Sequence, residues 1–311
     1  MIIENITVGT EFPLKGLLTL PSADVKQCPA IVLVHGSGAN DMDESVGNTK
    51  TFKDLAEGFA KYGIATIRYD KRTLTYGKEM VEGLGGSLSV KEETIEDAIF
   101  ATELLRKDQR IDPNRIYILG HSMGGLLAPR IDAEGGNYAG LIIFASSARN
   151  LEDIMRDQQN DFLEKANFFT RLISKGQIKK MQKKFDNIYN LSDEEAKRTP
   201  IIGKYVFAYY LKEWGEKPAE VFLKKLTKPI LIMQGEADFH VSVEKDFNLF
   251  KEMLKGHDNA TFKLYPNLNH LLMQTVYGND ISKGLKEYEK PQHVESYVIK
   301  DIVDWINQNE Q

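Results

Sequence analysis

The stretch Tyr117-Ile118-Leu119-Gly120-His121-Ser122-Met123-Gly124-Gly125 decides how the chain is read. An apolar strand runs directly into Gly-x-Ser-x-Gly, and a segment of helical character follows. That order is a nucleophile elbow, a strand–turn–helix corner that lifts a serine hydroxyl clear of the backbone. A serine hydroxyl is a poor nucleophile and must stand where a base can reach it. The corner that exposes it crowds the chain, and Gly120 and Gly124 remove a Cβ where the chain passes closest to itself. The helix N-terminus then points backbone N–H groups at the place where an oxyanion would form. Glycine and serine also populate ordinary turns, so the motif needs partners elsewhere.

Downstream, Pro229-Ile230-Leu231-Ile232-Met233-Gln234 reads as a short buried strand and opens into Gly235-Glu236-Ala237-Asp238. Thr261-Phe262-Lys263-Leu264-Tyr265 reads as another, ending in Pro266-Asn267-Leu268-Asn269-His270. A serine, an acid and a histidine therefore occur in that order, each just past the carboxyl end of a strand. Open α/β sheets bind their ligands at that edge. Glu236 and Asp238 both stand as acids at the second position. Upstream, Val32-Leu33-Val34-His35-Gly36-Ser37-Gly38 is a further buried strand ending in a glycine-rich loop.

The remaining chain fits one large α/β domain with an insertion, as its 311 residues and 42% apolar content allow. Residues 2–20 alternate in polarity and predict an antiparallel hairpin at a sheet edge. Continuously apolar strands follow at 30–34, 64–69, 115–119, 140–145, 229–234 and 261–265. Helices are expected between them. Phe52, Leu55, Ala56, Phe59 and Ala60 keep helical spacing, with Gly63 beyond the end. Ser89-Val90-Lys91-Glu92 is a capping-box pattern. Val294, Tyr297, Val298, Ile302, Trp305 and Ile306 form one stripe near the end. Pro129 sits in the helix after the elbow, where a kink or early end is expected. The span between 146 and 229 is far longer than the ~12 residues a parallel crossover needs. Its helical, charged composition predicts an insertion over 150–225, acting as a lid on a core of 1–149 and 226–311; decoration on the side of the sheet is the alternative.

Three segments, His35-Gly36-Ser37-Gly38-Ala39-Asn40-Asp41, Arg68-Tyr69-Asp70-Lys71-Arg72-Thr73 and Gly120-His121-Ser122-Met123-Gly124-Gly125, together resemble bacterial carboxylesterases of the serine α/β-hydrolase family. The resemblance covers most of the chain outside roughly 150–225. It implies the α/β-hydrolase fold, a mostly parallel central sheet with helices on both faces, and ester hydrolysis. Short or aromatic acyl esters, cleaved through an acyl-enzyme, are the expected substrates. The resemblance implies Ser122 as nucleophile, His270 as base and, on the family's Gly-x-x-Asp pattern, Asp238 as the orienting acid. The backbone N–H groups of Met123 and Ser37 are the implied oxyanion donors.

Six histidines compete for the role of base. His35 and His121 flank the loop and the nucleophile as space-filling neighbours. His240 lies at the entrance or faces water, and His257 and His293 read as solvated. The run Asp70-Lys71-Arg72 reads as an ion-paired buttress of the oxyanion loop, with contact to a substrate carboxylate as the alternative. Tyr205, Phe207, Tyr209, Tyr210 and Trp214 crowd the insertion; Tyr209 and Trp214 are candidates for an acyl pocket, or the set is the insertion's own core. No His-x-x-x-His or Cys-x-x-Cys spacing and no phosphate loop occurs, so no metal or cofactor is expected. The net charge of −5 carries no footprint for nucleic acid. The start Met1-Ile2-Ile3-Glu4-Asn5 lacks a basic region before an apolar run, no stretch reaches ~18 apolar residues, and the lone Cys28 has no internal partner. These set the expectation of a cytoplasmic protein, with a homo-oligomer possible. Two rivals remain: a thioesterase or serine peptidase on the same triad, and a noncatalytic ligand-binding α/β-hydrolase, which would not need an intact Ser, Asp and His.

Overall fold

Eight strands pair into one sheet: β1 (Ile2–Val8), β2 (Leu14–Leu20), β3 (Cys28–Val34), β4 (Ala65–Tyr69), β5 (Ile111–His121), β6 (Leu141–Phe144), β7 (Ile230–Gly235) and β8 (Ala260–Tyr265). The computed structural model describes residues 1–203, 206–278 and 280–309. The strand order is β1-β2-β4-β3-β5-β6-β7-β8. β2 is antiparallel to both neighbours, and every pair from β4 through β8 is parallel. The amphipathic hairpin β1–β2 forms the edge, while β3, β4, β6 and β7 are buried at every position. Parallel strands need cover on both faces, which is why these segments are largely apolar, with Thr66, Arg68 and Gln234 as buried polar exceptions.

Successive side chains point to opposite faces. Ile31, Leu33, Tyr117, Leu119, Ile142, Phe144, Leu231 and Met233 join one cluster. It includes Phe52, Leu55 and Phe59 of the helix Thr51–Ala60 and Val298, Ile302, Trp305 and Ile306 of the helix Ser296–Gln308. The helices Glu96–Lys107 and Met123–Ile131 pack against β5 as well. Register then sets the carboxyl ends of the strands side by side: Val34 lies beside Gly120, His121 beside Phe144, Met233 beside Phe144, and Gly235 beside Tyr265. Five loops leave from one edge as a result.

Pro129 does not end its helix at once. The helix Met123–Ile131 continues two residues past it, with all nine residues buried, and passes into a wider turn over Asp132–Gly136. The missing N–H is tolerated because packing of the whole segment outweighs one lost bond. At Ser89 half of the expected box forms. Glu92 accepts from the Ser89 N–H at 3.0 Å, but the serine hydroxyl accepts from Lys91, not from Glu92.

The chain divides into two compact units. One comprises Met1–Tyr76, Thr94–Ala148 and Ala219–Gln311, the other Gly77–Glu93 and Arg149–Pro218. The second takes in Gly77–Glu93, a segment whose sequence reads as part of the core; the helix Arg72–Leu84 breaks from helical geometry at Tyr76, where the division falls. Within the second unit, the helices Leu151–Lys165 and Phe168–Phe185 run antiparallel, cross-linked by Arg156 to Asp186 at 3.0 Å and Gln182 to Asn160 at 3.0 Å. Its interior holds Phe185, Ile188, Ala208, Tyr210, Leu211 and Trp214. No helix among the described residues is long and apolar enough to cross a membrane.

The Tyr210 hydroxyl donates to the buried Glu93 carboxylate at 2.6 Å, tying the two sequence-distant parts of this unit together. Tyr210→Phe should therefore cost ~1–3 kcal/mol, as expected for a buried hydrogen bond to a charged group. Chemical denaturation checks this; unchanged stability would mean the tie is dispensable.

Candidate active site

Ser122 occupies the corner between β5 and the helix Met123–Ile131 with φ 52° and ψ −116°. A serine in that region carries backbone strain and persists only where its surroundings hold it. Its N–H donates to Phe144 O at 2.9 Å, and its carbonyl accepts from the Ser146 hydroxyl at 2.6 Å. A Cβ on Gly120 would lie 2.2 Å from Gly124 O, and one on Gly124 would lie 2.2 Å from Val34 O. Only hydrogens fit there. The loop after β3 reaches the same corner, since a Cβ on Gly36 would meet the Ser122 Cβ at 3.2 Å. Ser37 follows, exposed, and Met123 opens the helix, buried.

The loops after β7 and β8 are stitched together. Glu236 N donates to Tyr265 O and Ala237 N to Leu268 O. A Cβ on Gly235 would lie 2.1 Å from Leu268 O, so these loops meet as closely as the elbow does. Asp238 Oδ1 accepts from the backbone N–H of His240 (2.7 Å) and Val241 (3.1 Å), and Oδ2 stands 2.7 Å from His270 Nδ1. Glu236, the other acid in this loop, is exposed. Buried Asn269 shapes the His270 turn, accepting from Leu271 and Met273 N–H and donating to Glu287.

Three imidazoles gather here. The His270 ring lies 4.8 Å from that of His121 and 4.5 Å from that of His240, centre to centre. Their charge states differ. Burial and the neighbouring His270 push His240 down to about 3. Burial and the charge of His121 hold His270 well below its usual value. Burial opposes a charge on His121 too, but the Glu44 carboxylate outweighs it and raises the pKa. Glu44 Oε1 stands 3.0 Å from His121 Nδ1, off the axis of a straight hydrogen bond, and His121 Nε2 lies 3.2 Å from His270 O. A carbonyl only accepts, so Nε2 carries a proton, and a carboxylate beside Nδ1 favours the second. Burial lifts Asp238 to about 6, which leaves it ionised at neutral pH.

Sequence reasoning missed Glu44. It is buried at φ 49° in the loop after β3, and its Oε1 also accepts from Gly36 N–H at 2.8 Å. No periodicity marks such a residue; its place at the end of the loop that carries the family resemblance was the available signal. His121, read as a space filler, is its ion-pair partner. The run Asp70-Lys71-Arg72 is structural. Asp70 accepts from Met42 N–H, Lys71 Nζ donates to Gly36 O at 2.9 Å, and Arg72 pairs with Asp97 and Glu96. Trp214 is an interior residue of the second unit, 6.0 Å from Tyr210 ring to ring, and Tyr209 lies half-buried under Lys197. Tyr205 falls outside the described residues. His257 is half-buried and bound to Leu226 O, and His293 pairs with Asp54 at the surface. No group of three or more metal-ligating side chains assembles among the described residues.

This sheet order and this elbow define an α/β-hydrolase. The family described as serine aminopeptidase, S33, matches residues 26–275, and the chain belongs to it. It is 35% identical over 303 residues to the esterase EstD of Thermotoga maritima, a match that covers 97% of this chain and 67% of that protein. Among solved structures, Est1E from Butyrivibrio proteoclasticus aligns over 98% of both chains with a TM-score of 0.59 at 16% identity. The Pyrococcus furiosus esterase Pf2001 aligns over 98% of this chain and 91% of its own, with a TM-score of 0.57 at 14% identity. The two structural likenesses are likenesses of fold.

Gly120→Ala should abolish turnover and cost ~1–3 kcal/mol or more from overpacking. Gly176→Ala, in the helix Phe168–Phe185 with nothing within 4 Å of the added Cβ, should be neutral or stabilise by ~0.4–1 kcal/mol. Paired melting curves and ester assays check both, and a tolerated Gly120→Ala would contradict the crossing described above.

Proposed function

We propose that the chain is a carboxylesterase that hydrolyses small carboxylic esters, with short or aromatic acyl groups, through Ser122, His270 and Asp238. The observation that carries this reading is the buried 2.7 Å contact between Asp238 Oδ2 and His270 Nδ1 beside a serine held on a strained elbow. The kinship with a named esterase across nearly the whole chain supports an ester as substrate. In this reading Asp238 fixes the imidazole tautomer so that Nε2 is the free base. His270 takes the proton of Ser122 as its Oγ attacks the ester carbonyl. The carbonyl oxygen, now an oxyanion, is received by the N–H groups of Ser37 and Met123. The imidazolium gives its proton to the leaving alcohol, and an acyl-serine remains. Water then enters, His270 takes its proton, and the acid leaves as Ser122 is restored. Residues 150–225 serve as a lid in this reading. Of the two aromatic candidates there, Tyr209 retains surface to offer an acyl chain, whereas Trp214 is spent on the interior of its own unit.

The family description favours a second reading, an aminopeptidase. Such an enzyme must hold a substrate ammonium beside the nucleophile. Glu44, a buried carboxylate in the loop beside the elbow, is already held by Gly36 N–H and His121, which weighs toward the ester. Activity on p-nitrophenyl esters against aminoacyl p-nitroanilides separates the two. Ester turnover should dominate. Ser122→Ala should stay folded and lose ~10³–10⁶-fold in kcat, and a fluorophosphonate should label wild type at Ser122 alone. Labelling elsewhere would overturn the assignment.

The pH profile gives a second test. The base must be neutral and Asp238 ionised, so activity is lost as pH falls through the values of this pair. Burial and the His121 charge lower His270, and burial places Asp238 at about 6. The acid limb of kcat/KM should therefore lie below the ~6.5 of free imidazole. His121→Gln removes a positive charge facing His270 and should move the limb to higher pH. A limb at or above 6.5 in wild type, or one that His121→Gln leaves in place, would show that another group controls it.

A further inference from the structure

Gly36 is gripped from both ends by buried charged side chains. Its N–H donates to Glu44 Oε1 at 2.8 Å, and its carbonyl accepts from Lys71 Nζ at 2.9 Å and Asn40 Nδ2 at 3.1 Å. Lys71 is 2% exposed, as is Glu44. A buried ammonium and a buried carboxylate are both costly unless something answers their charge. Here one glycine lies between them, and it is the glycine whose missing side chain lets this loop touch the Ser122 Cβ.

The next peptide unit carries the consequence. Gly36 C=O and Ser37 N–H belong to the same planar, trans amide, so fixing one end fixes the direction of the other. No described residue accepts a hydrogen bond from the Ser37 N–H. A cation on the carbonyl also polarises the amide and strengthens the opposite N–H as a donor. We propose that Lys71, assisted by Asn40 and opposed by Glu44, is a positioning residue that aims and polarises the Gly36–Ser37 amide for the oxyanion. Glu44 extends the same grip to His121 and so to the carbonyl of His270, joining the oxyanion loop to the base loop through four residues.

This rests on the serine esterase reading given above. Charge develops on the oxyanion only as the reaction proceeds, so an amide aimed at it affects the transition state and not substrate binding. Lys71→Met keeps the apolar stem and removes the charge. It should lower kcat ~10–100-fold, short of the ~10²–10³ for loss of an entire donor, with KM within about twofold. Binding of a reversible trifluoromethyl ketone, which forms a tetrahedral adduct on the serine, should weaken in proportion to kcat/KM. Lys71→Arg should recover part of both. Asn40→Ala, at a half-buried position, frees the same carbonyl without stranding a charge and should lower kcat several-fold at unchanged KM; it decides the matter if Lys71→Met does not fold.

The two failures are distinguishable. Ester turnover that survives Ser122→Ala defeats the esterase reading itself. Turnover that depends on Ser122, joined to folded Lys71 and Asn40 variants whose kcat and ketone affinity match wild type, defeats the positioning role alone. A rise in KM at constant kcat would also defeat it, because that pattern places Lys71 against the substrate.

Discussion

Between the end of β5 and the first turn of the helix Met123–Ile131 there is no room for a Cβ. Gly120 passes Gly124 O, and Gly124 passes Val34 O, at distances that exclude any side chain. Two strands and a helix therefore converge on one point, and the serine between the glycines is forced into a left-handed corner. Strain of this kind persists where packing over-determines it. The surroundings do so: β3 and β6 are buried at every position and β5 from Ile116 onward, and the Ser122 N–H is spent on Phe144 O. The rest of the candidate site is arranged around that fixed point.

The same device recurs at the far side of the site. Gly235 at the end of β7 passes within reach of Leu268 O, and backbone bonds from Glu236 and Ala237 close the gap between the loops after β7 and β8. Asp238 and His270 come from strands paired in parallel register, so their loops leave the sheet side by side and need little else to meet. Asn269 supplies what remains by folding the His270 turn over its own side chain.

Much of this was legible in the sequence, and for identifiable reasons. Parallel strands are mostly apolar because helices cover both faces, so six of the eight announced themselves as runs. The elbow is a local motif, and the order of serine, acid and histidine needs only strand ends to be located. What was not legible depends on contacts between distant, individually ordinary residues. Glu44 sits in a polar loop, and nothing near it in sequence says that it meets His121. The grouping of Gly77–Glu93 with Arg149–Pro218 hangs on contacts such as Tyr210 with Glu93. Pro129 misled because a propensity rule was set against a helix buried along its whole length, where packing decides.

The electrostatics of the site follow from the same geometry. Burial alone would render all three clustered histidines neutral. Glu44 separates His121 from the others by facing it, and once His121 carries charge, the imidazole 4.8 Å away finds protonation harder. A carboxylate that contacts neither Ser122 nor His270 thereby favours a neutral His270, the form that the proposed role of general base requires. Its other contact, with Gly36 N–H, sets the loop beside Ser122. Environments that push neighbouring titratable groups apart are how one site keeps an acid and a base in distinct states. Here a single buried glutamate does so while it anchors the backbone that faces Ser122.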